Sequence, residues 1–298
     1  MSATSPRIKP GLLSGIRISS GIRHMLLATF WFSLMYVMVK SLAHLPTFEL
    51  VFFRCGVATV LGLIALRTQH VSPRGSNPRL LFLRGLFGTL GLVTFFYTVQ
   101  RMPMGTAVTI QYLSPVFTAI LGMFILRETV KPVQWLCFAL AFAGVLLIKG
   151  FSTDITWSLL AVGIASAFFS GLAYNTIRVL REKEHPLVVV LHFQLFGTLV
   201  GGLALFFDWE TPAWSDWLPL ILMGVFTQLG QDNLTRSLQQ EQVARVSLLN
   251  YLGVIYALLF GWLIFGEWPS TTDFLGIAVV LGSVLFSVWM GVRARGQA

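Results

Sequence analysis

Runs of about twenty apolar residues recur along the chain, and nothing else restricts its fold so strongly. A helix rises about 1.5 Å per residue, so twenty residues cross a hydrocarbon layer about 30 Å thick. Ten such runs are read, at 22–40, 47–66, 80–100, 104–126, 132–149, 156–178, 187–207, 216–236, 243–265 and 272–291. The connections between them are short, so no soluble domain is left to hold an active site of its own. Composition points the same way. Of 298 residues, 55% are hydrophobic and 11% charged, and the mean hydropathy is +0.76; a soluble domain carries about 25% charge. A membrane β-barrel would show ten-residue alternating segments, which are missing. The expected class is an all-α polytopic membrane protein with ten transmembrane helices.

The net charge of +9 could suggest a nucleic-acid partner, but its placement argues against one. Ten spans put both ends of the chain on one face. That face receives Arg7, Lys9, Arg17 and Arg23, then Arg67, Arg74, Arg79 and Arg84, then Arg127 and Lys131. Arg178, Arg181, Lys183, Arg236, Arg245, Arg293 and Arg295 bring the count there to 17 of the 21 basic residues. Lys40, Arg101 and Lys149 go to the other face with the acidic loop Asp208, Glu210 and Asp216. Positive charge stays on the cytoplasmic side during insertion, which places the chain in the cell inner membrane with both termini inside. The first run follows a basic stretch and ends near "SLA", as a cleaved signal peptide would; its partner later in the chain favours a retained span. Cys55 and Cys137 both fall within spans, and His24, His44, His70, His185 and His192 are dispersed. Neither set has disulfide or metal-ligand spacing, and no cofactor is implied.

The chain repeats itself. Tyr112 and Tyr251, Gly122 and Gly261, Glu128 and Glu267, and Leu136 and Leu275 are each separated by 139 residues. That offset holds without gaps from 104–148 to 243–287, with 9 identities in 45 positions. "FSLMYVMVK" (32–40) likewise resembles "FSGLAYNTIR" (169–178), with one extra residue in the second copy. The unit is therefore five spans, an odd number, so the second copy enters the membrane from the opposite face. Inverted repeats of this kind place a substrate site at mid-membrane between halves that exchange conformations. The expected division is a basic tail at 1–21, a first repeat at 22–150, a second at 151–291 and a short tail at 292–298.

Polar side chains within lipid must face protein or a wet cavity. Gln111-Tyr112 recurs as Asn250-Tyr251. Pro115 lacks an N–H, so it deprives the Gln111 carbonyl of its helical partner and predicts a kink beside the pair. These groups either line a cavity or bond across to neighbouring helices. Trp31, Tyr36, Tyr97, Tyr174, Asn175, His192, Gln194, Gln228, Gln231 and Asp232 are further polar or aromatic groups within spans. Arg54 lies two turns into the second span, where arginine is costly; it either pairs with Glu49 or holds an anionic group of a substrate. Glu128 and Glu267, at span ends, are expected to cap or pair with a nearby helix end. "GTLG" (88–91), "GTLVGG" (197–202) and "GIAVVLGS" (276–283) read as close helix contacts.

The stretch "RGLFGTLGLVTFFYTVQRMPMGTAVTIQYLSPVFTAILGMFILRETV" (84–130), with "QWLCFALAFAGVLLI" (134–148), resembles the EamA-type domain of the drug/metabolite transporter superfamily. "LLNYLGVIYALLFGWLIFGEW" with "DFLGIAVVLGSVLF" resembles its second copy. The resemblance covers nearly the whole chain after about residue 22. It implies a ten-helix fold of two inverted five-helix EamA repeats, cytoplasmic termini, and a central cavity lined mainly by spans 1, 3, 4, 6, 8 and 9. Members carry amino acids, nucleotide sugars, vitamins, organic anions and amino-acid-derived metal chelators. Val254 stands where the first repeat has Pro115, so the two copies differ at the kink.

The expected function is secondary transport of a small polar metabolite. Export of an amino-acid-like or carboxylate-bearing compound is favoured, with uptake or exchange of an organic anion, nucleoside or vitamin as the alternative. A proton or counter-substrate could drive it, and the chain could act as monomer or homodimer. No phosphate-binding loop is present for direct ATP drive. A membrane-embedded enzyme would need paired catalytic groups at one depth, and none is seen.

Overall fold

The computed structural model describes residues 20–127, 130, 132–151, 155–181, 183–240 and 252–295. Among these residues the regular structure is helical throughout. The helices are α1 (Ser20–Ser41), α2 (Thr47–Thr68), α3 (Pro78–Arg101), α4 (Met104–Gln111), α5 (Ser114–Ile125) and α6 (Pro132–Phe151). They continue as α7 (Trp157–Leu180), α8 (Pro186–Ala204), α9 (Trp217–Gln240), α10 (Leu252–Phe265) and α11 (Thr271–Arg295), with one 3-10 turn at Trp214–Asp216. Prolines open several of them. Pro78, Pro115 and Pro186 sit in the first turns of α3, α5 and α8, where a missing N–H costs no helical bond.

Six segments, among them Met104–Ile125 taken whole, are long and apolar enough to cross a membrane; three shorter apolar helices accompany them. Their outward faces carry bare aliphatic and aromatic side chains, including Ile64, Phe124, Leu136, Leu199 and Leu263. Such a girdle is untenable in water and natural against lipid. The protein is a multi-pass membrane protein.

The packing obeys the repeat. Helix α1 packs on α9 as α7 packs on α3, and α2 on α9 as α8 on α3. Helix α1 meets α10 as α7 meets α4 and α5, while α2 pairs with α8, α6 with α11 and α4 with α10 across the pseudo-two-fold axis. Glycines permit these approaches. A Cβ on Gly201 would meet the Phe52 backbone N at 2.8 Å, one on Gly171 the Thr118 N at 3.0 Å, and one on Gly144 the Gly276 carbonyl at 2.9 Å. The turns repeat as well. Arg127 and Gly266, 139 residues apart, both adopt a left-handed backbone, with φ of 54° and 67°.

Cross-links sort the loops onto two faces. On the basic face, the backbone N–H and side-chain amide of Asn77, after α2, donate to Glu184, after α7. On the opposite face, His44 after α1 contacts Asp216 at 3.0 Å, and the Glu210 N–H donates to Glu49 at 3.2 Å. That face is also tightly shut. Lys40 at the end of α1 pairs with Glu267 and donates to the Met102 carbonyl at 2.6 Å. The other carboxylate oxygen of Glu267 accepts the Met104 N–H at 2.8 Å, so Glu267 caps α4. Thr47 and the Leu45 carbonyl both engage the Gln100 amide, and Leu42, Leu45, Val99, Met102 and Met104 fill the space beneath.

Candidate functional site: a two-arginine cavity between the repeats

A cavity of about 210 Å³ lies between the repeats. Its lining begins at the interrupted helix. Tyr112 and Leu113 separate α4 from α5, because Pro115 cannot donate to the Gln111 carbonyl; the chain passes the break on a tighter bond from the Leu113 N–H to Ile110 at 3.0 Å. Gln111, Tyr112 and Ser114 face the cavity there. Gln111 is held at both ends by α7, donating to Ser170 at 2.8 Å and accepting from Ser166 at 2.6 Å. Ser166 also bonds the Gly91 carbonyl of α3 at 3.0 Å, tying three spans behind the wall. The Tyr112 hydroxyl comes so near α10 that a Cβ on Gly253 would lie 2.6 Å from it.

Helix α1 contributes Ser33 and Tyr36, α7 contributes Ser170 and Tyr174, and α9 contributes Gln231. Spans 1, 3, 4, 6, 8 and 9 thus all reach the cavity, joined by one residue each from α2 and α8, Arg54 and Phe193. The lining on α1 stops at Tyr36, short of the Lys40–Glu267 tie, and that on α3 starts as early as Arg84. The cavity therefore occupies the middle of the bundle and the half towards the basic face, while the other half is packed shut.

Arg54 is 3% exposed. Its Nη1 lies 3.4 Å from the Cys55 Sγ and 3.3 Å from the Gln194 Oε1, and its Nε has no partner among the described residues. The ion pair with Glu49 that the sequence left open is not formed: five residues of helix turn the two side chains apart, and Glu49 takes the Glu210 N–H instead. Arg84 is a second correction. Counted among the positive charges of the basic face, it is instead a lining residue only 6% exposed. Its guanidinium lies over the Phe193 ring at 4.1 Å, and its Nε and Nη1 have no hydrogen-bond partner among the described residues. Gly88, one turn on, makes this possible, since a Cβ there would collide with Nη1. An arginine followed four residues later by glycine was the available signal. No aspartate or glutamate lines the cavity among the described residues.

Other candidates sit elsewhere. Trp31 stacks on Phe226 at 5.6 Å between α1 and α9. Tyr97 lies under the Arg101 guanidinium at 3.8 Å on an exposed face. Asn175 is buried, donating to the Thr118 and Gly171 carbonyls at 3.0 Å each. Gln194 stands behind Arg54, and the Gln228 Oε1 is buried near Gly62 of α2. His192 bonds its own helix at Val188, and Asp232 pairs with Arg236 at 3.0 Å. Asn250, Tyr251 and Glu128 lie outside the described residues.

Inverted helical repeats enclosing a polar cavity are the architecture of secondary membrane transporters. The chain belongs to the EamA-like transporter family, whose model matches residues 19–150 and 156–289. It is a transporter and not an enzyme. It is 31% identical over 274 residues to the pseudopaline exporter CntI of Pseudomonas aeruginosa, covering 91% of this chain and 96% of that one. It is 26% identical over 308 residues to human solute carrier family 35 member G1, covering 95% and 81%. Against the riboflavin transporter of Rhizobium johnstonii it is 27% identical over 299 residues, covering 96% and 95%. A protein crystal structure superposes with a TM-score of 0.66 over 94% of this chain and 99% of the other; at 18% identity it speaks for the fold alone.

Proposed function

We propose that the protein is an alternating-access exporter of the cell inner membrane, with both termini cytoplasmic. Its substrate is a small polar, carboxylate-bearing metabolite, such as an amino acid or a compound derived from one, opine-type metal chelators included. One observation carries this reading: the cavity combines Arg54 with the amides and hydroxyls of Gln111, Gln231, Tyr36, Tyr112 and Tyr174. Guanidinium groups bind carboxylates through paired, charge-assisted hydrogen bonds, and the neutral donors fix the rest of a polar molecule. The basic face, cytoplasmic by the distribution of positive charge, is the face nearer the cavity. Rocking the two repeats would open the Lys40–Glu267 tie and close the basic side. The pseudopaline exporter among the relatives supports export. The riboflavin transporter, together with the aromatic wall of Phe32, Phe95, Phe96 and Phe193, supports the second reading, uptake or exchange of a vitamin-like molecule. Efflux of labelled metabolites from proteoliposomes tests the choice: saturable efflux of carboxylates that Arg54→Ala weakens selectively is expected, and equal loss for neutral solutes would overturn the anion role.

A further inference from the structure

Resting on the cavity as the transport site, we infer that it is built for a dianion, a small organic acid with two carboxylates, rather than for a zwitterion. Arg54 and Arg84 arrive on different helices and converge on one aromatic ring. Their guanidinium carbons lie 5.5 and 4.1 Å from the Phe193 centroid. The two are therefore within about 10 Å of each other, close enough for two like charges in a low-dielectric site to repel appreciably. Arginine does not escape by losing its proton, so the repulsion and the lost hydration must be met by neighbours.

The neighbours do not suffice. Besides the Phe96 and Phe193 rings, Arg54 meets a thiol and an amide, both neutral. The ring face of Phe193 attracts the Arg84 guanidinium but uses none of its N–H groups. Nε of both side chains and Nη1 of Arg84 are buried without acceptors among the described residues. The ion pairs Lys40–Glu267, His44–Asp216 and Arg236–Asp232 involve neither. Buried guanidinium groups are ordinarily paired. Here two are left with donors to spare in a cavity that no acid lines among the described residues.

A zwitterionic amino acid answers this badly. Its single carboxylate satisfies one guanidinium, its ammonium adds a third positive charge, and among the described residues no carboxylate lines the cavity to face that ammonium. The cavity would keep its two excess charges. A molecule with two carboxylates cancels both and offers each planar fork a bidentate partner, while the hydroxyls of Tyr36 and Tyr174 and the Gln231 amide serve the oxygens that remain. Gly88 is part of the device, because a Cβ there would meet both the Arg84 Nη1 and the Phe193 ring.

Glutarate, glutamate and glutamine share a five-carbon chain and step from two net negative charges to one to none. Binding to the purified protein in detergent, read by thermal shift and calorimetry, should weaken along that series, with glutarate about tenfold tighter than glutamine, the order that electrostatic complementarity imposes. Arg84→Gln should erase the difference. Gly88→Ala, which keeps the arginine but evicts its guanidinium, should do the same and replaces the first variant if that one fails to fold. Glutamine binding as tightly as glutarate, or inorganic phosphate binding more tightly, would overturn the inference. Arginine-dependent glutarate binding without flux of glutarate in proteoliposomes would overturn the transport reading and leave the dianion site standing. Flux of glutamine equal to that of glutarate and indifferent to Arg84→Gln would do the reverse.

Discussion

Tyr112 shows how much of the site one residue can carry. It occupies the break between α4 and α5, faces the cavity and brings its hydroxyl against Gly253 of the opposite repeat. Tyr112→Ala is expected to lower transport about tenfold, the equivalent of one lost hydrogen bond at a substrate, with expression and thermal midpoint near those of the wild type; normal flux would remove Tyr112 from the site. Its position was legible because Gln-Tyr ahead of a proline is an unusual thing to place in lipid. Arg84 was legible only through the glycine one turn on: near the start of a span, an arginine in the membrane and one in the loop otherwise look alike until the packing of α8 against α3 is known. Asn175 and Trp31 misled for the opposite reason, since polar and aromatic groups that bond between helices carry the same letters as those that line a cavity. Outside the membrane, the hydrogen bond from His44, aided by the Ala213 N–H, holds the Asp216 carboxyl below the usual carboxylate range. A carboxylate with a depressed folded value stabilises the protein above its unfolded value of about 3.9 and loses that contribution as pH falls through the lower folded value. Asp216→Asn should therefore lower the thermal midpoint at pH 7 and at pH 5, with the gap to wild type closing below about pH 4; a gap that persists there would show that the contact is not electrostatic.

Between helices, the tie at the closed face is the feature with most at stake. Lys40 and Glu267 are 12% and 19% exposed, and together they join the end of α1, the start of α4 and the turn after α10. Gly266 makes the reach possible, because its left-handed backbone turns the chain so that the Glu267 carboxylate points back at Met104. A double-mutant cycle of Lys40→Met and Glu267→Gln should give a coupling of about 1–3 kcal/mol, as for residues in one network; additive effects would show that the two do not act together. Glycine contacts make a separate test. Gly144→Val forces α6 away from Gly276 and Val280 of α11 and should cost about 1–3 kcal/mol by overpacking. Gly282→Ala enters open space and should stay within about 0.5 kcal/mol. Equal effects would refute the close α6–α11 approach. The glycine runs pointed to such contacts in general, but sequence could not say that Gly282, inside one of them, touches nothing.

The molecule as a whole is a five-span unit used twice, and this was its most legible property, because an offset of 139 residues survives where identities are few. The structure adds what an offset cannot: the pairing of α1 with α9 and of α3 with α7 as equivalents, and the unequal filling of the two halves of the membrane. Symmetry in the fold and asymmetry in the packing together motivate the proposed second arrangement, with the filled and open halves exchanged. Access to Ser170, a partly exposed residue of the cavity wall half-way along α7, reports on that exchange directly. The measurement is reaction of Ser170→Cys, with Cys55 and Cys137 replaced by alanine, towards a membrane-impermeant maleimide applied from one face at a time. The expected result is labelling from the basic face alone, shifting to the opposite face when Lys40→Met breaks the tie. Labelling from neither face, or from both together in the intact protein, would contradict a single cavity served by each side in turn.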